Sequence, residues 1–445
     1  LNRLLGWVDW EEEGLKGVDL EALEFGLRGQ MLRFGASFLE ALVNRTDRGY
    51  RGPSMASPDG GEARFVEYRI KRVKTVLGEI RMSRAYYYSQ AEGRGFFPQD
   101  RTWDVEGNGY SPGIKRLVSR IGGQEAFAQA SEDLWELAEV KVSPKEVERL
   151  SEEVGEAIRV AEAGVRQHVF AGQAPAPVLS LQPEETVYLE VDGTGVPVVP
   201  GETAGRKGKG ADGKARTREA KLGVVFTQTT LNEKGRPVRD EASATYVGGI
   251  ETAEEVGKEL YAEVERRGLS RARRKVLVGD GAVWIWELAG EHFPEALQVV
   301  DLYHAREHLW SLGHALYPQD DKKRTRWIAS RIAQLDRGDI ASLLKAFDSA
   351  PIPNPAVGET LRKEREYFHK NRERMQYQKF KAQGLFLGSG VVEASCKSVI
   401  GKRLKQSGMR WTVRGANAII ALRRCRLSRE WENFWADRAA SREAA

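Results

Sequence analysis

Cysteine and histidine are scarce in this chain: Cys396 and Cys425 are the two cysteines, and there are six histidines in 445 residues. Two thiols exclude a disulfide scaffold and a cysteine-rich zinc module. So few imidazoles leave little material for histidine-based metal sites. A metal bound here would rest on carboxylates, which suit magnesium or manganese. Long apolar runs are also missing. None approaches the ~18 residues needed to span a bilayer. The opening Leu-Asn-Arg-Leu-Leu-Gly-Trp-Val-Asp-Trp lacks the basic segment and apolar stretch of a secretory leader. These absences set the expectation of a cytoplasmic protein.

What is present is enough hydrophobic sequence (41%) to build real cores, and 30% charged residues with a formal net charge of +5. That net is too small to name a partner, so the placement of the charges matters more than their sum. The length suits about three domains. Residues 1–50 read as an acidic helical arm. Residues 51–105 form a β-rich module, in which Arg64 to Tyr88 alternates with the period of antiparallel strands. Residues 106–170 read as short helices resembling a helix-turn-helix, with Ser143, Pro144 and Glu146 composing a capping box. A proline-bearing linker precedes residue 184. From 184 to 302 the order is β-β-β-α-β-α-β, followed by helices. Three meander strands and two crossovers match the order of a ribonuclease-H-like α/β core with a mixed five-stranded sheet. Residues 303–385 read as a helical insertion, and 386–435 as a basic helical part of the same domain.

Acidic residues at strand ends carry the chemistry. Asp192 follows Val187-Tyr-Leu-Glu-Val and precedes glycine. Asp280 follows Lys275-Val-Leu-Val-Gly and also precedes glycine. In this strand order their strands are neighbours, so the two carboxylates lie together and repel unless a divalent cation sits between them. Taken singly, each fits an Asp-Gly turn equally well. Glu393 follows the turn Gly388-Ser389-Gly390 and falls in the first turn of a helix, where a carboxylate also suits the dipole. Asp301-Leu302-Tyr303-His304 closes the fifth strand, and His304 is a candidate to support the site or a phosphate, or to cap the helix that follows. Its partner at i+4, His308, has no evident third ligand for zinc.

Two stretches are basic. From Lys397 to Arg429 there are ten basic residues and no acidic one, a pattern suited to phosphate backbones. Lys397, Lys402, Arg403, Lys405, Arg410 and Arg414 are the candidate DNA contacts there, with Trp411 available for stacking. A glycine-rich segment adds Arg206, Lys207 and Lys209. It nearly spells a phosphate-binding loop, but Ala215 stands where a hydroxyl is needed.

The stretches Tyr188-Leu-Glu-Val-Asp-Gly-Thr-Gly, Leu277-Val-Gly-Asp-Gly-Ala, Val299-Val-Asp-Leu-Tyr-His and Gly388-Ser-Gly-Val-Val-Glu-Ala-Ser-Cys-Lys resemble ISKra-type bacterial insertion-sequence transposases, within the wider Mutator-like DDE group. The resemblance covers about residues 50–435. It implies a DDE catalytic domain with Asp192, Asp280 and Glu393 as catalytic residues and ligands of two magnesium or manganese ions. It also implies cleavage of element ends and joining of 3′-hydroxyls to target DNA by a homo-oligomer, with no membrane partner. Relatives often carry paired cysteines in the N-terminal strand region. Here those positions fall on Ser89 and Glu92, so no zinc is expected. Two other functions stay open: a ribonuclease-H-like nuclease without strand transfer, and a degenerate copy that only binds DNA.

Overall fold

The computed structural model describes residues 19–173, 186–208 and 212–443. These form a mixed α/β protein with two compact units, and the division falls between Val154 and Gly155, inside one helix. Among the described residues, no helix is long and apolar enough to cross a membrane. The first part of the acidic arm and the proline-bearing linker lie outside the described residues.

The first unit begins with helix α1 (Leu20–Asn44), capped by the Asp19 carboxylate on the Glu21 amide. Strands β1 (Ser54–Ala56), β2 (Glu62–Thr75), β3 (Gly78–Ser89) and β4 (Arg94–Phe96) pair in chain order into an antiparallel sheet. Ala36 and Val43 of α1 pack with Val73, Ile80 and Met82 of the sheet. Helices α2 (Pro98–Thr102), α3 (Pro112–Gly122) and α4 (Phe127–Ala138) follow, and α5 (Pro144–Phe170) starts at the expected capping box. There the Ser143 hydroxyl accepts from the Glu146 amide at 3.3 Å, and the Glu146 carboxylate accepts from the Ser143 amide at 3.3 Å. Ile114, Val118, Leu134, Val147 and Leu150 make the apolar core shared by α3, α4 and the start of α5. The turn that would hold paired cysteines is knit by hydrogen bonds instead. The Ser57 hydroxyl donates to Glu92 and accepts from the Gly61 amide at 3.0 Å.

The second unit is built on a six-stranded mixed sheet. β5 (Thr186–Pro197) pairs antiparallel with β6 (Thr217–Leu231), which pairs antiparallel with β7 (Pro237–Arg239) and β8 (Thr245–Gly249). After α6 (Ala253–Arg266), β9 (Arg274–Gly279) lies parallel to the other edge of β5. After α7 (Val283–His292), β10 (Leu297–Val300) lies parallel to β9. The expected sheet has five strands; the short β7 adds a sixth. Residues 186–191 of β5 are buried on both faces, which is why they read as a continuous apolar run with one acid inside it. Val187, Leu189, Leu277, Val256, Leu260 and Ile285 fill the core between sheet and helices. The helices α8 (Leu302–Leu316), α9 (Asp321–Asp336), α10 (Ile340–Asp348), α11 (Pro355–Lys370) and α12 (Tyr377–Ala382) then occupy the stretch read as an insertion. The chain returns through α13 (Gly390–Ser395), a π-helical turn (Cys396–Gly401), α14 (Lys402–Leu404) and α15 (Val413–Leu427). α16 (Trp431–Glu443) belongs to the first unit, where Arg438 and Arg442 both pair with Asp104.

Candidate functional site

Three carboxylates come together at one end of the second unit's sheet. The parallel register between β5 and β9 sets Glu190 opposite Val278. Asp192 and Asp280 each follow two residues after that pair, and Asp192 feels the charge of Asp280. β5 does not end at Asp192 as its sequence suggests; it runs on to Pro197 along β6. What ends there is the pairing with β9, because that strand stops at Gly279. The chain then turns through Gly281 at φ +101°, where any Cβ would meet the Tyr367 ring at 2.6 Å. Only glycine fits that approach. The Asp280 carboxylate accepts from the Ala282 amide at 2.8 Å, and its carbonyl accepts from the Tyr367 hydroxyl at 2.9 Å.

Glu393 arrives from the far end of the chain. The Tyr188 hydroxyl accepts from the Phe386 amide, and the Leu387 carbonyl accepts from the Leu302 amide. These bonds seat the segment before α13. Buried Asp301 caps α8 through the Tyr303 and His304 amides and also accepts from both the amide and the hydroxyl of Ser389. The Ser389 hydroxyl in turn lies 3.2 Å from the Glu393 carboxylate. Asp301 therefore fixes the turn that delivers Glu393.

The electrostatics agree with this convergence. Asp192 is held above the usual carboxylate range, first by burial and then by the negative charges of Asp280 and Glu393. The Gly193 amide and the Cys396 thiol work in the opposite direction by donating to it. Cys396 is itself pushed up by burial and by Asp192. Glu190, fully buried, is pushed up to about 8 by burial and by the proximity of Asp301 and Glu393. One of its oxygens accepts from the Val392 amide at 2.8 Å. Glu190 is a residue the sequence reading missed. Its signal was available: an acid two positions before Asp192 in a strand shares its face.

His304 and His308 face one another with Nε2 atoms 3.2 Å apart. His308 is held by Glu364 at 2.6 Å and stacks on Tyr367 with ring centroids 4.1 Å apart. Through Tyr367 this pair supports the backbone of Asp280.

The basic residues divide. Lys397, Lys402, Lys405, Arg410 and Arg414 are exposed, as are Arg206 and Lys207 of the glycine-rich segment. Lys209 lies outside the described residues. Lys405 reaches the Thr194 hydroxyl, two residues beyond Asp192. Two of the proposed DNA contacts need correction. Arg403 is fully buried; its guanidinium lies over the Trp411 ring at 4.9 Å and 3.5 Å from the Met409 sulfur. Burial and the like charge of Arg423 hold it down to about 10. Trp411 is also buried, and its ring N–H donates to the Leu404 carbonyl at 3.1 Å while its backbone bridges to Val198. Neither side chain is presented to a nucleic acid: both are buried, and the Trp411 backbone is bonded to Pro197 and Val199.

Residues 14–203 match an uncharacterised protein family, UPF0236. That match covers less than half of the chain's length. A UPF0236 protein of Caldanaerobacter subterraneus subsp. tengcongensis is 24% identical over 66% of this chain and 55% of its own length. The chain thus spans about half of that relative. A UPF0236 protein encoded in the vanSb 3′ region of Streptococcus gallolyticus is 22% identical over 79% of this chain and 71% of its own. Among solved structures, a chain of the Drosophila P element transposase strand transfer complex is matched over 71% of this chain and 80% of its own, at 10% identity and a TM-score of 0.25. A superposition that loose carries no argument about fold or function.

Proposed function

We propose that this chain is a DNA transposase whose chemistry is centred on Asp192, Asp280 and Glu393. The observation that carries the reading is the convergence of three carboxylates from β5, the β9–α7 turn and the first turn of α13, with Asp192 feeling the charge of the other two. Carboxylates gathered at the carboxyl ends of neighbouring parallel strands are costly unless they serve a cation or a proton transfer. The spatial order β8-β6-β5-β9-β10 supports a ribonuclease-H-like core. The helices between β10 and α13 occupy the place of a helical insertion before the last acid. The motifs shared with ISKra-type transposases fall on these same positions.

The cofactor this reading implies is a pair of magnesium or manganese ions. The donors fit in type, being hard oxygens, and in charge, since a cation would relieve their mutual repulsion. Asp192 and Asp280 each accept from a backbone amide, of Gly193 and Ala282, and the Glu393 carboxylate lies 3.2 Å from the Ser389 hydroxyl. Among the described residues, no three acidic, imidazole or thiol side chains are close enough to hold an ion as they stand. Bound metal would supply an activated water or 3′-hydroxyl and neutralise charge at the scissile phosphate. The protein's own part is positioning. Asp301 and Ser389 fix the turn before Glu393, Glu190 tethers the Val392 amide beside it, and the exposed cations Lys405 and Arg410 hold phosphates without reading bases.

The test is an assay with manganese, a target plasmid and pre-cut duplexes from the DNA flanking the coding sequence. Joined products are the expected result, lost in Asp192→Asn, Asp280→Asn and Glu393→Gln. Cutting without joining would make the protein a nuclease; binding without either would make it a DNA-binding remnant.

A further inference from the structure

The outward face of α1 is apolar, and the inward face is already used. Ala36 and Val43 are buried against the sheet of the first unit. On the other side, Leu20, Leu27, Met31, Phe34, Phe38 and Leu42 are between 47% and 68% exposed. Residues 27, 31, 34 and 38 are separated by four, three and four positions, the spacing of a coiled-coil seam, and residue 20 lies one heptad before residue 27. A 25-residue helix that is apolar on both faces is stable in water only if both are covered. We infer that this face pairs with the same face of a second copy of the chain, as an antiparallel two-helix seam.

Area and charge both select that occupant. Six large apolar side chains, about half exposed, offer on the order of 500 Å². With the polar flanks that close over a helix seam, this approaches the ~800 Å² each partner gives to a standard interface. A parallel pair would set Glu24 against Glu24 in the seam and bring the acidic first turns, with Asp19 and Glu21, side by side. An antiparallel pair centred between Met31 and Phe34 sets Met31 across from Phe34 and Leu27 across from Phe38. It also brings each acidic first turn to the partner's Arg45. Asp19, Glu21 and Glu24 argue against an anionic membrane, which attracts basic amphipathic helices. Arg28, the cation nearest the seam's start, is already paired with Glu139 at 3.3 Å.

Sedimentation of the full chain across about 0.5–50 μM should show a dimer of the 49.8 kDa protomer. Leu27→Glu with Phe34→Glu should raise the dimer Kd at least ~100-fold, because two central anchors are lost, with thermal unfolding retained. Orientation is read separately by disulfide trapping, since Cys396 and Cys425 are both buried. A mixture of Met31→Cys and Phe34→Cys chains should cross-link more than either variant alone. A monomer at tens of micromolar, a dimer untouched by the paired glutamates, cross-linking of each cysteine variant mainly with itself, or apolar-face-dependent pelleting with anionic liposomes would each overturn the inference.

Discussion

The basic run that begins at Lys397 holds two regions of like composition and opposite fate. From Lys397 to Arg414 most cations stand in solvent near the end of β5. Further along α15, Arg423 and Arg424 turn inward. Arg424 is buried between Glu162 at 2.6 Å and Glu259 at 3.1 Å, while Arg423 donates to the carbonyls of Ser398 and Val399. The acids that balance α15 come from α5 and α6, distant in sequence, so a local charge count cannot see them. Composition counts charges; only the fold says which of them face a partner.

That contrast can be broken experimentally, beginning with its strongest consequence. Arg424→Met should destabilise the protein by roughly 3 kcal/mol or more, because it strands two acids against a buried site. Arg414→Met, on the same run but exposed, should change stability by less than about 0.5 kcal/mol. Urea denaturation of the two variants measures the difference, and equal losses would dissolve the distinction. Glu190 gives the next largest effect. Its pKa is raised above the unfolded value, to about 8, so the folded state keeps a proton the unfolded state has lost. Its contribution is present below about pH 4.5 and is lost as pH rises to about 8, at up to ~1.4 kcal/mol per pH unit. Glu190→Gln should flatten that part of the stability–pH curve, and an unchanged slope between pH 5 and 8 would remove Glu190 from the account. The smallest effect on the fold comes from Lys402→Ala with Lys405→Ala. Stability should be retained, while the slope of log affinity for duplex DNA against log salt falls by about two. Binding that keeps its full slope would place the DNA elsewhere.

The sheet was legible in the sequence because its main strands are apolar or alternating and its last three are separated by the helices α6 and α7. The pairing of Asp192 with Asp280 followed from strand order alone. Other features depended on contacts that spacing does not encode. Glu190 drew no reading of its own, and it lies in a strand segment buried on both faces. Asp301 read as a strand end, although its carboxylate holds Ser389 across a span of 88 residues. Trp411 read as an aromatic free to stack, since nothing local shows that β5 continues past Asp192 to Pro197, whose carbonyl accepts from the Trp411 amide. The β7 strand is three residues long and has no periodicity to find.

The central claim is that Asp192, Asp280 and Glu393 form one cation-binding centre. Calorimetric titration of manganese into the full chain and into Asp192→Asn, Asp280→Asn and Glu393→Gln tests it most directly. The account predicts saturable binding that each substitution abolishes or weakens at least ~10-fold, with the fold retained. Wild-type affinity in any one of the three variants would contradict it.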